Sequence, residues 1–283
     1  MKNTFQQISL LSMFLVSLFS SILLVILGIG IASIFNIDND LVAKSLGILG
    51  LYAAPLIMIY RALHKNNLDM KMWLKPTRLH IMETISSTIF PEVLGVGTLL
   101  LATTIIAAFS PLPPDESLNT AGIGTAFWVQ LFIYSCLLAP FCEEIIFRGF
   151  LFEKLQYKYS IKKAVLITSI VFGIMHGITG ISPAIVSIVL CVLYKKYNSL
   201  VPGMVIHFLH NLLVFLLRFF VISATPTTIE STTNVASSFN PLETLPPALV
   251  LTSGGIIWLV HFLKKNWKYT APEPELETNL NSI

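Results

Sequence analysis

Long apolar runs separated by short polar segments dominate the pattern of hydrophobic and polar positions. A helix needs about 20 mostly apolar residues to cross the ~30 Å hydrocarbon layer of a membrane. Backbone groups in lipid must be hydrogen-bonded within their own segment, so each such run is predicted to be a helix. The pattern therefore predicts an all-α, polytopic membrane protein with about eight transmembrane helices. The runs are 9–35, 43–62, 88–110, 123–146, 163–179, 182–195, 200–222 and 246–263.

The amino-acid composition excludes a soluble fold. Hydrophobic residues make up 54% of the 283-residue chain and charged residues only 12%, whereas about 25% of a typical soluble protein is charged. One soluble core, which stops growing near ~250–300 residues, could not cover so much apolar surface. The predicted location is the cell membrane, with the lipid bilayer as a partner. The net charge is +3 and the cations are scattered among loops, which excludes a nucleic-acid partner.

Positive charges occur in alternate loops. Because cytoplasmic loops carry an excess of Lys and Arg, the loops that hold them are predicted to be cytoplasmic, and both termini with them. The remaining loops carry acidic residues and neither Lys nor Arg, so they are predicted to be external. The basic set is Lys2, 64–80, 148–163, Lys195, Lys196, Lys264, Lys265 and Lys268, and the acidic set is Asp38, Asp40, Asp115, Glu116, Glu230 and Glu243.

Three polar clusters interrupt the apolar runs, and an ionisable group inside a membrane is functional by default because it is costly. Glu92 and His261 lie near predicted helix ends, where their side chains are expected to reach the interface. The three clusters lack that explanation. They are Glu143-Glu144-Ile145-Ile146-Phe147-Arg148 at the inner end of the fourth run, Phe172-Gly173-Ile174-Met175-His176 deep in the fifth, and His207-Phe208-Leu209-His210-Asn211 midway along the seventh.

Helical spacing separates the roles within these clusters. Glu144 and Arg148 are four residues apart, which predicts an ion pair with a structural role. Glu143 points about 100° away from Glu144 on an α-helix, so it is the better candidate for a group that exchanges protons. Four-residue spacing also places His207 and Asn211 on one face, and packs the Phe172 ring beside the imidazole of His176.

The order EExxxR, FxxxH and HxxxN on successive helices resembles the CPBP family of intramembrane proteases, also called the CAAX protease and bacteriocin-processing or Abi family. The resemblance implies a catalytic core at 123–222. It leaves 1–122 as an N-terminal region of about three membrane helices with loops. Residues 223–283 are expected to hold an external loop to residue 245, the last membrane helix and a cytoplasmic tail.

The resemblance also implies a mechanism. Glu143 would activate a water that attacks a peptide carbonyl, and His176 would help to hold that water. His207 and Asn211 would donate hydrogen bonds to the developing oxyanion. The supporting residues are Glu144, Arg148 and Phe172. The expected partner is a membrane-associated peptide or protein substrate, with prenyl-protein cleavage and bacteriocin processing as the family's activities.

The sequence leaves two questions open, namely whether a metal ion takes part and whether the protein is an enzyme. Glu143, His176 and His207 match a three-ligand catalytic zinc site, but the chain has no HExxH motif, so catalysis without a cofactor is favoured and zinc is the alternative. The same polar cluster also fits an ion- or proton-coupled transporter. A third interpretation is a non-catalytic bacteriocin-immunity or regulatory membrane protein. The intact motifs favour the enzyme.

Overall fold

A computed structural model of the protein describes residues 2–109, 124–224 and 241–270. Within these residues the secondary structure is helical and contains no strand, which confirms the all-α class. A short helix, Lys2–Gln6, precedes the longer ones. The longer helices are α1 (Leu10–Phe35), α2 (Asn39–Lys65), α3 (Ile81–Phe109), α4 (Thr125–Gln156), α5 (Ile161–Met175), α6 (Ile181–Tyr197), α7 (Val201–Ala224) and α8 (Pro241–Asn266).

Six of these helices, all except α5 and α6, are long and apolar enough to cross a membrane. The described residues therefore form a polytopic membrane fold. Helices α5 and α6 contain 15 and 17 residues, fewer than the ~20 that a full crossing needs. The count of eight transmembrane helices stays a prediction, as does the cytoplasmic position of both termini.

Helix α6 lies inside the bundle and α1 at its edge. Residues Val189, Leu190 and Val192 of α6 are fully buried, because this helix packs against α3, α4, α5, α7 and α8. Helix α1 packs mainly against α2 and exposes large apolar side chains such as Phe19 and Ile34. Lipid is as apolar as leucine, so such exposure is expected of a helix that borders the bilayer.

The turn between α1 and α2 is built from short polar side chains. Asn36 adopts the left-handed conformation that ends α1, a conformation that asparagine tolerates better than most residues. Asp38 then accepts hydrogen bonds from the backbone N–H groups of Asp40 and Leu41 and caps α2. Caps of this kind satisfy backbone donors that the helix leaves unpaired. They hold α1 and α2 as an antiparallel pair.

Helix α4 changes its winding twice. Residues Phe132–Leu138 and Glu144–Phe152 are wound as π-helix, and α-helix separates the two segments. A π-turn inserts extra residues into a helix and changes the direction of the side chains that follow, and such turns are frequent at functional sites. The second π segment begins within the EExxxR motif, between Glu143 and Glu144.

The structure shortens, at both ends, the segment 223–245 that the sequence assigns to an external loop. Helix α7 continues to Ala224, and α8 begins at Pro241, a residue type favoured in the first turn of a helix. The external position of the segment stays a prediction. The middle of that loop, 225–240, lies outside the described residues. So do the predicted external residues Asp115 and Glu116 and the predicted cytoplasmic tail.

Candidate active site

The two neighbouring glutamates of α4 meet the same histidine of α7. Glu144 Oε1 lies 3.0 Å from His207 Nδ1, and Glu143 Oε2 lies 3.7 Å from His207 Nε2. All three side chains are buried. Glu143 does not pair with Arg148, the partner of Glu144, but the two glutamates share His207, which the sequence did not indicate.

The predicted ion pair between Glu144 and Arg148 is confirmed. Arg148 Nη1 donates to Glu144 Oε1 over 2.8 Å, and both side chains are almost completely buried. The guanidinium also lies 4.6 Å from the centre of the Phe172 ring, a favourable contact for a cation that has left water. The pair cancels charge where an isolated charge would be costly.

Glu144 has a second role that the sequence did not reveal, because it orients His207. A carboxylate accepts hydrogen bonds, so Nδ1 of His207 carries the proton in this contact. Nε2 is then the ring atom that faces Glu143. Gly203, one turn before His207, makes room for this arrangement, since a Cβ there would lie 2.9 Å from Glu144 Oε2. Any larger residue would push the carboxylate away from the imidazole.

Tyr52 of α2 holds the other glutamate. Its hydroxyl donates to Glu143 Oε1 over 2.5 Å, whereas Glu143 Oε2 has no hydrogen-bond partner among the described residues. The 3.7 Å separation of Oε2 and His207 Nε2 is too long for a direct hydrogen bond. A water to one side of the line between the two atoms can hydrogen-bond to both.

His176 lies at the end of α5 and not deep within a helix, so that sequence prediction is wrong. The helix ends at Met175, and Gly177 follows with a positive φ of 67°, a conformation that glycine adopts without strain. The side chain of His176 is exposed, and its Nδ1 donates to the carbonyl of Phe172 at 2.7 Å. The predicted packing of the Phe172 ring against this imidazole is confirmed, with 4.6 Å between the ring centres.

Asn211 connects α7 to the first π segment of α4. Its Nδ2 donates to the carbonyl oxygen of Ser135 over 2.7 Å. An asparagine amide has two N–H donors and one acceptor oxygen, so one donor is used for this contact and one is left for a ligand. The structure thus places Asn211 and His207 on the same helix, one turn apart, as the sequence predicted.

A second polar group lies beside this site. Glu92 of α3 accepts a hydrogen bond from Ser182 of α6 at 2.7 Å, and the same oxygen lies 3.6 Å from His210 Nε2. The Glu92 side chain is only 20% exposed. The expectation that it reaches the membrane interface is wrong, because α3 begins at Ile81 and Glu92 is therefore three turns inside the helix.

A cavity of about 580 Å³ opens between α1, α2, α4 and α7. Ile48 lines it, four residues before Tyr52 on the same face of α2, and Arg218 lines it seven residues after Asn211 on α7. One turn of a helix rises about 5.4 Å. The cavity therefore lies about one turn from Tyr52 along α2 and two turns from Asn211 along α7.

The side chains do not converge as a metal centre. Across 2–109, 124–224 and 241–270, no group of three or more His, Cys, Asp or Glu side chains is arranged to hold a metal ion. His207 uses Nδ1 for Glu144, and His176 uses Nδ1 for a backbone carbonyl. These contacts leave Nε2 of each ring available, so zinc held by Glu143, His176 and His207 stays the alternative that the sequence left open.

The geometry can be set beside known proteins. Residues 125–213 match the Rce1-like family, described as Type II CAAX prenyl endopeptidase Rce1-like. All three motifs lie inside this Rce1-like segment, so the family resemblance inferred from them is confirmed. The match supports a membrane-embedded protease that acts on peptide substrates. Comparison with curated proteins gave no match, and comparison with solved structures gave none either.

Tyr52 of the site and Glu92 of the neighbouring group lie outside the Rce1-like segment and outside the three motifs. Tyr52 is 91 positions before Glu143, and Glu92 is 90 positions before Ser182. Each is a polar side chain within a long apolar run. A polar side chain in such a run is expected to have a hydrogen-bond partner within the protein, because lipid offers it none. The sequence does not identify that partner.

Proposed function

We propose that this protein is an intramembrane endopeptidase in which Glu143 activates water for attack on a peptide bond of a membrane-associated substrate. The observation that carries the proposal is the gap between Glu143 Oε2 and His207 Nε2, which are 3.7 Å apart. Each partner is held at its far side, Glu143 by Tyr52 and His207 by Glu144. The gap therefore presents a carboxylate oxygen and an imidazole nitrogen to one water molecule.

The chemical steps balance with groups that the site contains. Glu143 accepts a proton from the water, and the resulting hydroxide attacks the carbonyl carbon of the scissile bond. The tetrahedral intermediate carries the negative charge on the former carbonyl oxygen. When the C–N bond breaks, the proton on Glu143 passes to the leaving amine. The carboxylate is thereby restored.

In the proposed mechanism, His207 and Asn211 stabilise that oxyanion. Both ring nitrogens of His207 face carboxylate oxygens, and the ring acts in this step as an imidazolium, which has two N–H donors. Nε2–H would then donate to the oxyanion, together with the second N–H of Asn211. Donors fixed in place before the reaction contribute about 2.7–4 kcal/mol each in other enzymes. His176 is exposed beside Phe172, and in the proposed mechanism its other ring nitrogen, Nε2, helps to hold the attacking water.

We further propose that the reaction needs no resident metal ion, since the imidazolium and amide donors supply the charge stabilisation. Chelation tests this directly. Activity of the purified protein should survive prolonged treatment with EDTA or phenanthroline. Lasting inhibition that is reversed by added zinc would overturn this part of the proposal and leave the role of Glu143 intact.

The decisive experiment replaces the proposed base. Glu143→Gln keeps the shape of the side chain and removes its basicity, so turnover of a membrane peptide substrate should fall by about 10²–10⁴-fold. Glu92→Gln is the matched control, because it removes the charge of another membrane-embedded glutamate. Thermal unfolding in detergent would show that both variants fold. Near-normal cleavage by the folded Glu143→Gln variant would sink the proposal and favour a transporter or a non-catalytic binding protein.

The substrate class is tested with matched peptides. Each peptide pair shares one sequence that ends in a cysteine-containing tail, with the cysteine prenylated in one member and free in the other. Selective cleavage of the prenylated member would assign CAAX-type processing, in line with the description of the matching family. Equal cleavage of both members would assign a broader action on membrane peptides.

A further inference from the structure

Tyr52 is the side chain that holds the proposed catalytic carboxylate, although it lies far from the motifs in sequence. It comes from α2, outside the Rce1-like segment at 125–213. Its hydroxyl donates to Glu143 Oε1 over 2.5 Å, at the short end for an O–H group that donates to a carboxylate. No other hydrogen bond to Glu143 from a side chain is present within the described residues.

We propose that Tyr52 is a positioning residue that keeps Glu143 apart from His207 and so preserves the site of the attacking water. The inference rests on the proposed function. It assigns to Tyr52 no contact with the substrate and no proton transfer. Its effect is exerted through the orientation of one carboxylate.

The geometry gives the physical reason. The nearest atoms of Glu143 and His207 are 3.7 Å apart, and the imidazolium of the proposed mechanism would attract the Glu143 carboxylate. A direct hydrogen bond between a carboxylate oxygen and an imidazole nitrogen would need about 2.7–3.2 Å. A small rotation of an unrestrained carboxylate would close that difference and expel the water. The hydrogen bond from Tyr52 opposes the rotation because it holds Oε1 on the side towards α2.

The opposite side of the gap is held in the same way. Glu144 accepts from His207 Nδ1 at 3.0 Å, and Glu144 is itself held by Arg148 at 2.8 Å. The imidazole therefore cannot turn towards Glu143 without losing a buried hydrogen bond. With Tyr52 in place, both halves of the water site are restrained, which is the condition for catalysis by preorganised groups.

The test compares Tyr52→Phe with Tyr60→Phe in the full-length protein reconstituted in lipid nanodiscs. Tyr60 lies on the same helix with its side chain exposed, so its variant controls for loss of a tyrosine hydroxyl from α2. The probe is a membrane peptide that the unaltered protein cleaves. Because Tyr52 acts on Glu143 and not on the substrate, Tyr52→Phe should lower kcat by about 10–100-fold, the range expected for a hydrogen bond to a charged group. KM should change little, and Tyr60→Phe should leave both constants unchanged.

A double-mutant cycle shows whether Tyr52 acts through Glu143. Once Glu143→Gln has removed the base, adding Tyr52→Phe should cause no further loss in single-turnover rate, because residues that act as one unit are not additive. Rates are normalised to the folded fraction from thermal unfolding, which removes any contribution from instability. Additive losses in the cycle would overturn the inference.

Two other outcomes distinguish the inference from the proposed function on which it rests. If Tyr52→Phe keeps its kcat or changes only KM while Glu143→Gln is inactive, Tyr52 is not a positioning residue and the proposed function stands. If Glu143→Gln is itself active, both the proposed function and the role of Tyr52 are overturned.

Discussion

Helix α7 carries two histidines, His207 and His210, and each lies beside glutamate, but the two groups are built differently. His207 lies between two carboxylates, with Glu144 at 3.0 Å and Glu143 at 3.7 Å. His210 faces one carboxylate, Glu92, at 3.6 Å. The oxygen of Glu92 nearest to His210 already accepts a hydrogen bond from Ser182.

The difference lies in what holds the carboxylates. Around His207, each glutamate is anchored by a further side chain, Tyr52 for one and Arg148 for the other. In the group around His210, Ser182 is the one side chain among the described residues that donates a hydrogen bond to Glu92. Nδ1 of His210 is buried and has no hydrogen-bond partner among the same residues. Two positions three residues apart on one helix thus give a restrained group and a less restrained one. The comparison indicates that the restraint on each histidine–glutamate group depends on the elements that surround α7.

The largest expected effect separates the two histidines. His207→Ala removes the proposed oxyanion donor, so turnover should fall by about 10²–10³-fold, as for loss of such a donor in other enzymes. His210→Ala should lower turnover by less than about tenfold, equivalent to about 1.4 kcal/mol. Peptide cleavage assays on the two purified variants measure both losses. Equal losses would remove the distinction between the groups.

The second-largest effect is expected for the ion pair between Glu144 and Arg148, which holds His207 in place. Glu144→Gln and Arg148→Met should each destabilise the protein by about 3–5 kcal/mol, because each leaves a charge unpaired in a buried place. The double variant should lose less than the two single losses together. Thermal or denaturant unfolding in detergent checks the stability of each variant.

An exposed pair on α2 is the control for this cycle. Asp40 and Lys44 have the same four-residue spacing, but their side chains are 72% and 60% exposed. Asp40→Asn should therefore change the stability by about 0.3–0.5 kcal/mol at most. Losses for Glu144→Gln as small as this would show that the buried pair does not contribute to folding.

The smallest effect is expected at the less restrained group. Glu92→Gln keeps an acceptor for the hydroxyl of Ser182. It removes a carboxylate charge that lies 3.6 Å from His210 Nε2, too far for a hydrogen bond. Turnover should stay within about tenfold of the unaltered protein, in contrast to Glu143→Gln. A loss as large as that of Glu143→Gln in the cleavage assay would place Glu92 in the catalytic machinery and contradict the comparison.

Much of the fold could be predicted because a membrane imposes a simple rule on sequence. Each predicted apolar run overlaps a helix of the described residues, from Leu10–Phe35 to Pro241–Asn266. The residues at which the helices end were less predictable. Helix α5 ends at Met175, because a backbone turn at Gly177 stops it inside an apolar run. Hydropathy does not register such a turn.

The candidate site was predictable in part. The spacing of Glu144 and Arg148 was sufficient to pair them, since neighbours four apart meet on a helix. The shared histidine was not predictable, because it depends on the close approach of α7 to α4 at Gly203, 59 positions from Glu144 in the sequence. Tyr52 could not be assigned either, since nothing in its local sequence points to a residue 91 positions away.

The sequence by itself determined the helical membrane class, the helices that carry the polar residues and the identity of the acids, the histidines and the asparagine. These properties follow from local rules, namely the length of apolar runs and the spacing of side chains on a helix. The tertiary structure alone decided that Tyr52 holds Glu143, that both glutamates meet His207, and how the imidazole is oriented. Those outcomes depend on side chains from α2, α4 and α7 that meet across the bundle. A hydrogen bond requires its two atoms to lie about 3 Å apart in space. The separation of the two residues along the sequence does not show whether they come that close.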